Sequence, residues 1–153
     1  MIKLLIVLYL FYVLFEKIYS VLKKRKESFK KDTIHMFMVQ LADTNHKRKK
    51  GLMNIKKKLK SNYGLLFDYK KNVYPSLWMK NTYIELDAII LDNNSKVIDL
   101  FYNMKPLSKK TYKSNKLSRY VLEVNGGTIN KMNIQKGDYI GTTLLNKNIT
   151  NFN

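Results

Sequence analysis

The stretch that decides the fold is residues 84–103, IELDAIILDNNSKVIDLFYN. Two runs rich in apolar and β-branched residues, 84–91 and 96–103, flank the four polar residues Asp92-Asn93-Asn94-Ser95. Asn, Asp and Ser favour turns because their side chains hydrogen-bond to the nearby backbone. The pattern therefore predicts two antiparallel strands joined by a tight turn.

Four other short apolar runs, each bounded by turn residues, also have the composition of strands. They are residues 33–41, 65–69, 120–125 and 139–145. Short helices are expected after a cap at Asp43 or Thr44 and within residues 128–133. We therefore predict an α+β, mostly β domain over residues 32–146, followed by a C-terminal tail, 147–153. Its expected architecture is a small closed or barrel-like, largely antiparallel sheet with one or two short helices.

The N-terminal segment is strongly apolar. Residues 4–15 carry no charge, and the 19 residues 4–22 contain only two charged side chains, Glu16 and Lys17. A membrane-spanning helix needs about 20 residues, so the sequence predicts that the domain is preceded by a transmembrane helix, with residues 1–22 as a single-pass anchor. A cleaved signal peptide is the alternative, but the residues that follow the apolar run lack the expected small-x-small cleavage site.

Positive charge is concentrated in three stretches of a chain whose net charge is +18. Residues 23–31 are predicted to form a basic juxtamembrane linker, and the positive-inside tendency then places the domain on the cytoplasmic side of the membrane. The other two stretches are residues 46–60 and 105–119. Such stretches occur on surfaces that bind nucleic acid or anionic lipid, but a solvated, lysine-rich surface is the favoured interpretation, because lysine runs are usually solvated.

Several classes of chemistry are excluded by what the chain lacks. Cysteine is absent, which excludes disulfide bonds, thiol catalysis and Cys-based zinc sites. The two histidines, His35 and His46, are not at metal-ligand spacing. No nucleophile elbow, phosphate-binding loop or metal motif occurs. We therefore predict no metal and no cofactor, and the sequence leaves open whether the protein is an enzyme.

Several short sequence blocks stand out between residues 39 and 140. They are Gly51-Leu52-Met53, Gly64-Leu65-Leu66-Phe67, Trp78-Met79-Lys80-Asn81-Thr82 with Leu86-Asp87, Met104-x-Pro106, the YVLEVN sequence of residues 120–125 with the glycine pair after it, and Gly137-Asp138. In this order they resemble the family called domain of unknown function 192, also known as uncharacterised protein family 0127. The resemblance implies a small barrel-like α+β domain that is frequently exported or anchored, and it implies no established activity.

Polar residues of the two most family-like blocks suggest a binding cleft. By the two-residue period of a strand, Leu86 and Ala88 share one face while Asp87 lies on the other, and Glu123 is expected to point away from the apolar face of its own strand. The residues predicted to bind a ligand are Trp78, Lys80, Asn81, Asp87, Glu123 and Asn125. An indole ring stacks on a sugar face, while amides and carboxylates hydrogen-bond to hydroxyl groups.

Three functions from different classes fit these features. The favoured one is a membrane-anchored module that binds a small polar ligand, for example a carbohydrate. The second is a hydrolase that uses Asp87 and Glu123 as a carboxylate pair. The third is a basic module that binds nucleic acid or anionic lipid. A purely structural role is the alternative for each site residue: the two carboxylates would accept backbone N–H groups or pair with Lys80, and Trp78 would lie in the core.

Overall fold

The structure, a computed structural model, describes residues 2–28 and 33–145. It divides into two compact units, Met1–Asp32 and Thr33–Asn153. The first unit contains helix α1 (Ile2–Ser28). The elements of the second unit are β1 (Ile34–Ala42), α2 (Asn45–Lys50), β2 (Tyr63–Val73), β3 (Ser76–Trp78), β4 (Leu86–Leu91), β5 (Val97–Met104), β6 (Thr111–Lys113), β7 (Ser118–Asn125), α3 (Thr128–Lys131) and β8 (Tyr139–Leu144). The predicted tail, 147–153, lies outside the described residues.

The predicted hairpin is confirmed. Strands β4 and β5 pair antiparallel, with Ala88 opposite Phe101 and Ile89 opposite Leu100. The carboxylate of Asp92 closes the turn, because it accepts hydrogen bonds from the backbone N–H groups of Asn94 and Lys96. This is the local side-chain-to-backbone bonding that the Asp-Asn-Asn-Ser sequence predicts.

The hairpin belongs to a six-stranded sheet with the order β5-β4-β7-β2-β1-β8. The pairs β4–β7 and β2–β7 are antiparallel, whereas β1 runs parallel to both of its neighbours, β2 and β8. A bridge joins Lys96, the residue before β5, to Tyr139, the first residue of β8, and so brings the two edge strands together. The result is a curled, half-barrel sheet that is mostly strand, as predicted, with a parallel portion at β1 that local patterns did not reveal.

Both faces of this sheet are covered over its central strands. All six residues of β4 are buried, so this strand has no solvent-facing side. We call the face that carries Leu86, Ala88, Ile90 and Val121 the pocket face, and the face that carries Asp87 the opposite face. The pocket face packs against apolar residues from the segment after α2 and from β3, which pairs with β6 in a second, two-stranded sheet. The opposite face packs against Ile129 of α3.

Helix α2 begins and ends at residues whose chemistry explains its bounds. The Thr44 side chain accepts a hydrogen bond from the backbone N–H of Lys47 at 3.2 Å, which is the predicted N-cap. At the other end, the N–H of Gly51 bonds to the carbonyl of Lys47, and Gly51 has a φ of 48°. Glycine adopts this backbone conformation without a steric penalty. These two ends place the basic residues of α2 beside the pocket face.

The apolar N-terminal segment is helical, but the prediction that it spans a membrane is not supported. Within residues 2–28 and 33–145, no helix is long and apolar enough to cross a membrane. Glu16 and Lys17 end the uncharged run 4–15, which is shorter than the roughly 20 residues that a span requires. The orientation toward the cytoplasm stays a prediction.

Candidate functional site

A pocket of about 270 Å³ lies on the pocket face, between the sheet and the elements that cover it. Helix α2 and the residues after it form one wall, and β3 forms another. The lining residues include Arg48, Lys49, Gly51, Met53, Phe67, Tyr69, Leu77, Trp78, Thr82 and Glu123. The pocket is at the small end of the range for ligand sites in proteins, so it suits a small molecule.

Glu123 is the carboxylic acid of this pocket. Its strand, β7, lies in the middle of the sheet, where Ala88 of β4 and Leu65 of β2 are its register partners. Both partners are apolar, and Glu123 itself is only 5% exposed. Among the residues that the structure describes, none donates a hydrogen bond to this carboxyl group or forms an ion pair with it.

This environment keeps Glu123 neutral. Burial raises the pKa of Glu123 to about 8, from an ordinary value of 4.5, because the charged form loses its hydration and gains no compensating partner. At pH 7 the side chain is therefore mainly a protonated acid, with one O–H that can donate a hydrogen bond. A neutral acid in a pocket is the form that serves as a hydrogen-bond donor or a general acid.

Gly51 lies beside the Glu123 carboxyl group. A Cβ added to Gly51 would lie 3.9 Å from Oε2 of Glu123 and 3.6 Å from the Phe67 ring, which are ordinary van der Waals distances. The positive φ of Gly51, rather than a lack of space, therefore disfavours a side chain at this position. The glycine ends α2 at the point where the helix meets the pocket.

Arg48 and Tyr69 form a fixed basic and aromatic wall. The Arg48 guanidinium lies over the Tyr69 ring, 5.3 Å from its centroid. It also donates to the carbonyl of Asp68 at 2.7 Å and to the side chain of Asn45. Burial is the main cause that raises the pKa of Tyr69 to about 12, and Arg48 opposes it. The second cause is Glu123, which is ionised at the alkaline pH where Tyr69 titrates. Tyr69 therefore stays protonated and offers a second O–H near the acid.

Asp87 does not share this pocket. It pairs in register with Val124, so its side chain lies on the opposite face of the sheet from that of Glu123. Asp87 is fully buried and accepts two backbone hydrogen bonds, from Asn103 at 2.7 Å and from Ile129 at 2.8 Å. It ties β5 and α3 to β4, which is a structural role. The predicted carboxylate pair of Asp87 and Glu123 is therefore not formed.

Of the other predicted ligand-binding residues, only Trp78 lines the pocket. Trp78 lines the pocket and is 52% exposed, with Lys80 Nζ 5.7 Å from its ring centroid. Lys80 and Asn81 are exposed and do not line this pocket. The Asn125 side chain makes two hydrogen bonds to the backbone of Leu59. It donates to the Leu59 carbonyl at 2.8 Å and accepts from the Leu59 N–H at 2.9 Å. Of the six predicted residues, the structure brings Trp78 and Glu123 together in one pocket.

Sequence reasoning did not select the rest of the lining. It missed Arg48, Gly51, Phe67 and Tyr69 as site residues. A signal was present, because Gly51-Leu52-Met53 and Gly64-Leu65-Leu66-Phe67 are among the blocks that carry the family resemblance. Residues from both of these blocks, from the WMKNT block and from YVLEVN meet at the pocket.

These blocks also decide the family. The model of the DUF192 family, described as "Uncharacterized ACR", matches residues 27–142, which is well over half of the chain. The chain belongs to the DUF192 family. No curated protein matches it. The expectation drawn from the sequence resemblance is thus confirmed, and the DUF192 membership identifies no activity.

Two solved bacterial structures are similar to this DUF192 protein. One, from Sinorhizobium meliloti 1021, is described as a candidate transcription regulator; it is 32% identical with a TM-score of 0.64, and the match covers 66% of this chain and 78% of that one. The other, from Novosphingobium aromaticivorans DSM 12444, is a protein of unknown function. It is 30% identical with a TM-score of 0.63, and the match covers 66% of this chain and 71% of that one.

The neutral state of Glu123 predicts a specific pH dependence of stability. Between the ordinary pKa of 4.5 and the folded value of about 8, the unfolded chain loses the Glu123 proton while the folded chain keeps it. Stability from this group is complete below pH 4.5 and falls as the pH rises toward 8, by on the order of 1 kcal/mol per pH unit. Glu123→Gln, which cannot ionise, should therefore gain stability relative to the wild type as the pH is raised from 5 to 8.

Urea unfolding at several pH values, followed by the fluorescence of the single tryptophan, Trp78, measures this difference. Asp87→Asn is the matched control, a buried carboxylate with a structural role. The backbone N–H groups of Asn103 and Ile129 both donate to Asp87, and in the variant one of them would face an amide NH₂ group. We expect Asp87→Asn to lower the free energy of unfolding at pH 7 by about 1–3 kcal/mol. Wild-type and Glu123→Gln curves that stay parallel from pH 5 to 8 would show that Glu123 is ionised in the folded protein.

Proposed function

We propose that the domain binds a small polar ligand, most simply a single sugar ring, with Glu123 as its hydrogen-bond donor. The observation that carries this proposal is the carboxyl group of Glu123, which lines a pocket, is shielded from most solvent and makes no hydrogen bond to the described residues. Its oxygens reach the open space of the pocket, because no fully buried side-chain oxygen of the described residues lacks a partner. A ligand in the pocket would supply the hydrogen-bond partner that the chain itself does not.

The walls of the pocket fit the same ligand. Trp78 offers an exposed indole face for stacking, and Tyr69 and Arg48 lie close enough to influence each other electrostatically. A sugar presents an apolar face to an aromatic ring and hydroxyl oxygens to O–H and N–H donors. Arg48, Lys49 and Lys50 line the pocket and favour a ligand that also carries a negative charge, such as a sugar acid.

Hydrolysis by a carboxylate pair is not part of this proposal. Asp87 and Glu123 lie on opposite faces of the sheet, whereas glycoside hydrolysis requires two carboxyl groups that flank one bond. Binding of nucleic acid stays a prediction from the basic stretches. The description of the Sinorhizobium meliloti protein as a candidate regulator concerns that protein.

Ligand-observed NMR with glucose, N-acetylglucosamine and glucuronate tests the binding proposal. We expect glucuronate to bind the full-length chain best, because it adds a carboxylate for the basic wall. Trp78→Ala removes the stacking surface, and Glu123→Leu removes the buried donor. Each should weaken binding by about ten-fold or more, which corresponds to the loss of one good polar or stacking contact.

Two variants serve as controls for these losses. Glu123→Gln keeps a hydrogen-bond donor at the same position, so it should retain binding. Tyr102→Ala removes an exposed aromatic residue that does not line the pocket and should leave binding unchanged. Equal binding by the wild type and Glu123→Leu, or no binding of any of the three sugars, would contradict the proposal.

We also propose that helix α1 attaches the protein to lipid. Apart from Glu16, Lys17 and Ser20, its side chains from Ile6 to Leu22 are apolar. Nearly all of the large apolar ones are about half exposed or more. A helix that is apolar on all sides needs cover on all sides, and lipid provides it. Lys23, which follows Leu22 and is exposed, would lie at an anionic headgroup surface.

Sedimentation with phosphatidylcholine vesicles tests this attachment. We expect the full-length chain to pellet with the vesicles and to stay bound at high salt and at alkaline pH, since burial of apolar side chains is not screened by ions. Leu8→Asp with Leu14→Asp should reduce pelleting strongly, because two charges would enter the apolar segment. Release of the wild type by salt alone would instead indicate electrostatic attachment.

A further inference from the structure

The start of β1 carries an exposed apolar stripe on the pocket face of the sheet. Ile34, Met36 and Met38 alternate with the buried residues of this strand and are 64%, 55% and 45% exposed. They lie on the pocket face. Over β2, β7 and β4 this face is covered by the segment after α2 and by β3, but the cover does not extend to the start of β1. A Cβ on Gly141 of β8 would collide with Sδ of Met36, so the glycine lets Met36 lie over its neighbour.

Each end of this β1 stripe has a tyrosine with a lysine above it. Tyr139 pairs with Ile34 on one side, and Tyr63 pairs with Met38 on the other. Lys96 Nζ lies 5.4 Å from the Tyr139 ring centroid, and Lys60 Nζ lies 5.9 Å from that of Tyr63. Apolar residues flanked by tyrosines and lysines suit the boundary of a bilayer, where the apolar part meets acyl chains and the lysines meet phosphate groups.

The stripe is also close to helix α1 along the chain. Ser28 ends α1, and Ile34 begins β1 six residues later. A fully extended chain of this length spans roughly 20 Å. If α1 is held in lipid, this covalent link therefore limits how far Ile34 can move from the end of the helix. The high local concentration of the bilayer around the stripe then favours even a weak contact.

We propose that the β1 stripe docks onto the surface of an anionic bilayer, with Ile34, Met36 and Met38 in the acyl boundary and Lys60 and Lys96 at the headgroups. The inference rests on the proposed attachment through α1, because α1 brings the stripe near the membrane. It goes further in assigning a lipid-binding surface to the domain itself, so that the protein is held at two points. Two points of contact restrict how the domain can rotate above the membrane.

The absence of cysteine from the chain allows a direct test. A polarity-sensitive fluorophore is attached to the single cysteine of Met36→Cys in the full-length protein. Vesicles of phosphatidylcholine with phosphatidylserine are then added. We expect a blue shift of the emission and quenching by spin-labelled lipid. Met38→Cys should give the same result, and Tyr102→Cys, at an exposed position on β5, should give neither.

Reversing the charge of the two lysines separates docking of the β1 stripe from attachment through α1. Lys60→Glu with Lys96→Glu should abolish the blue shift at Met36→Cys, while the chain still pellets because α1 still holds it. A chain that pellets without any shift at positions 36 and 38 would overturn docking and leave attachment through α1 intact. A chain that does not pellet overturns both. A blue shift that appears without vesicles and grows with protein concentration would mean that a second copy covers the stripe, which also overturns the proposal.

Discussion

The need to cover both faces of one apolar sheet governs this structure. Strand β4 is buried at every position, so neither face can be left to water. The opposite face is closed by α3 and by the inward curl of the sheet. The pocket face is closed by a less regular cover, made of the segment after α2 and the short β3–β6 pair. Irregular cover packs less completely than a helix or a full sheet, and it leaves a pocket beneath it.

Two features follow from that incomplete cover. Where the cover is present but loose, Glu123 faces a pocket without a hydrogen-bond partner among the described residues, and burial raises its pKa to about 8. Where the cover ends, at β1, apolar side chains remain exposed. A ligand at Glu123 and lipid at the β1 stripe would each supply contacts that the chain itself does not. The environment decides the role of each carboxyl group. Asp87, on the neighbouring strand β4, accepts hydrogen bonds from two backbone N–H groups and stabilises the fold, whereas Glu123 has no such partner among the described residues.

Local chemistry explains which parts were predictable from the sequence. The hairpin and the start of α2 depend on Asp92 and Thr44, whose side chains act within a few residues of their own position. The parallel pairing of β1 depends on residues far apart in the chain, and β3 and β6 are three residues long, too short for a periodic signal. Of the six residues predicted to bind a ligand, only Trp78 and Glu123 line the pocket, for a related reason. Alternation assigned Asp87 and Glu123 to faces, but with both faces buried it could not show which carboxylate meets the pocket.

The central claim is that Glu123 is a neutral acid in the folded protein at physiological pH. Carbon-13 NMR of the side-chain carboxyl groups, with the Glu123 signal identified by its absence in Glu123→Gln, measures its ionisation directly. We predict that the signal titrates with a midpoint near pH 8, in accord with its burial, and that it stays in the protonated position at pH 6. A midpoint near the ordinary value of 4.5 would mean that the folded protein holds a charged carboxylate there, and it would contradict this account.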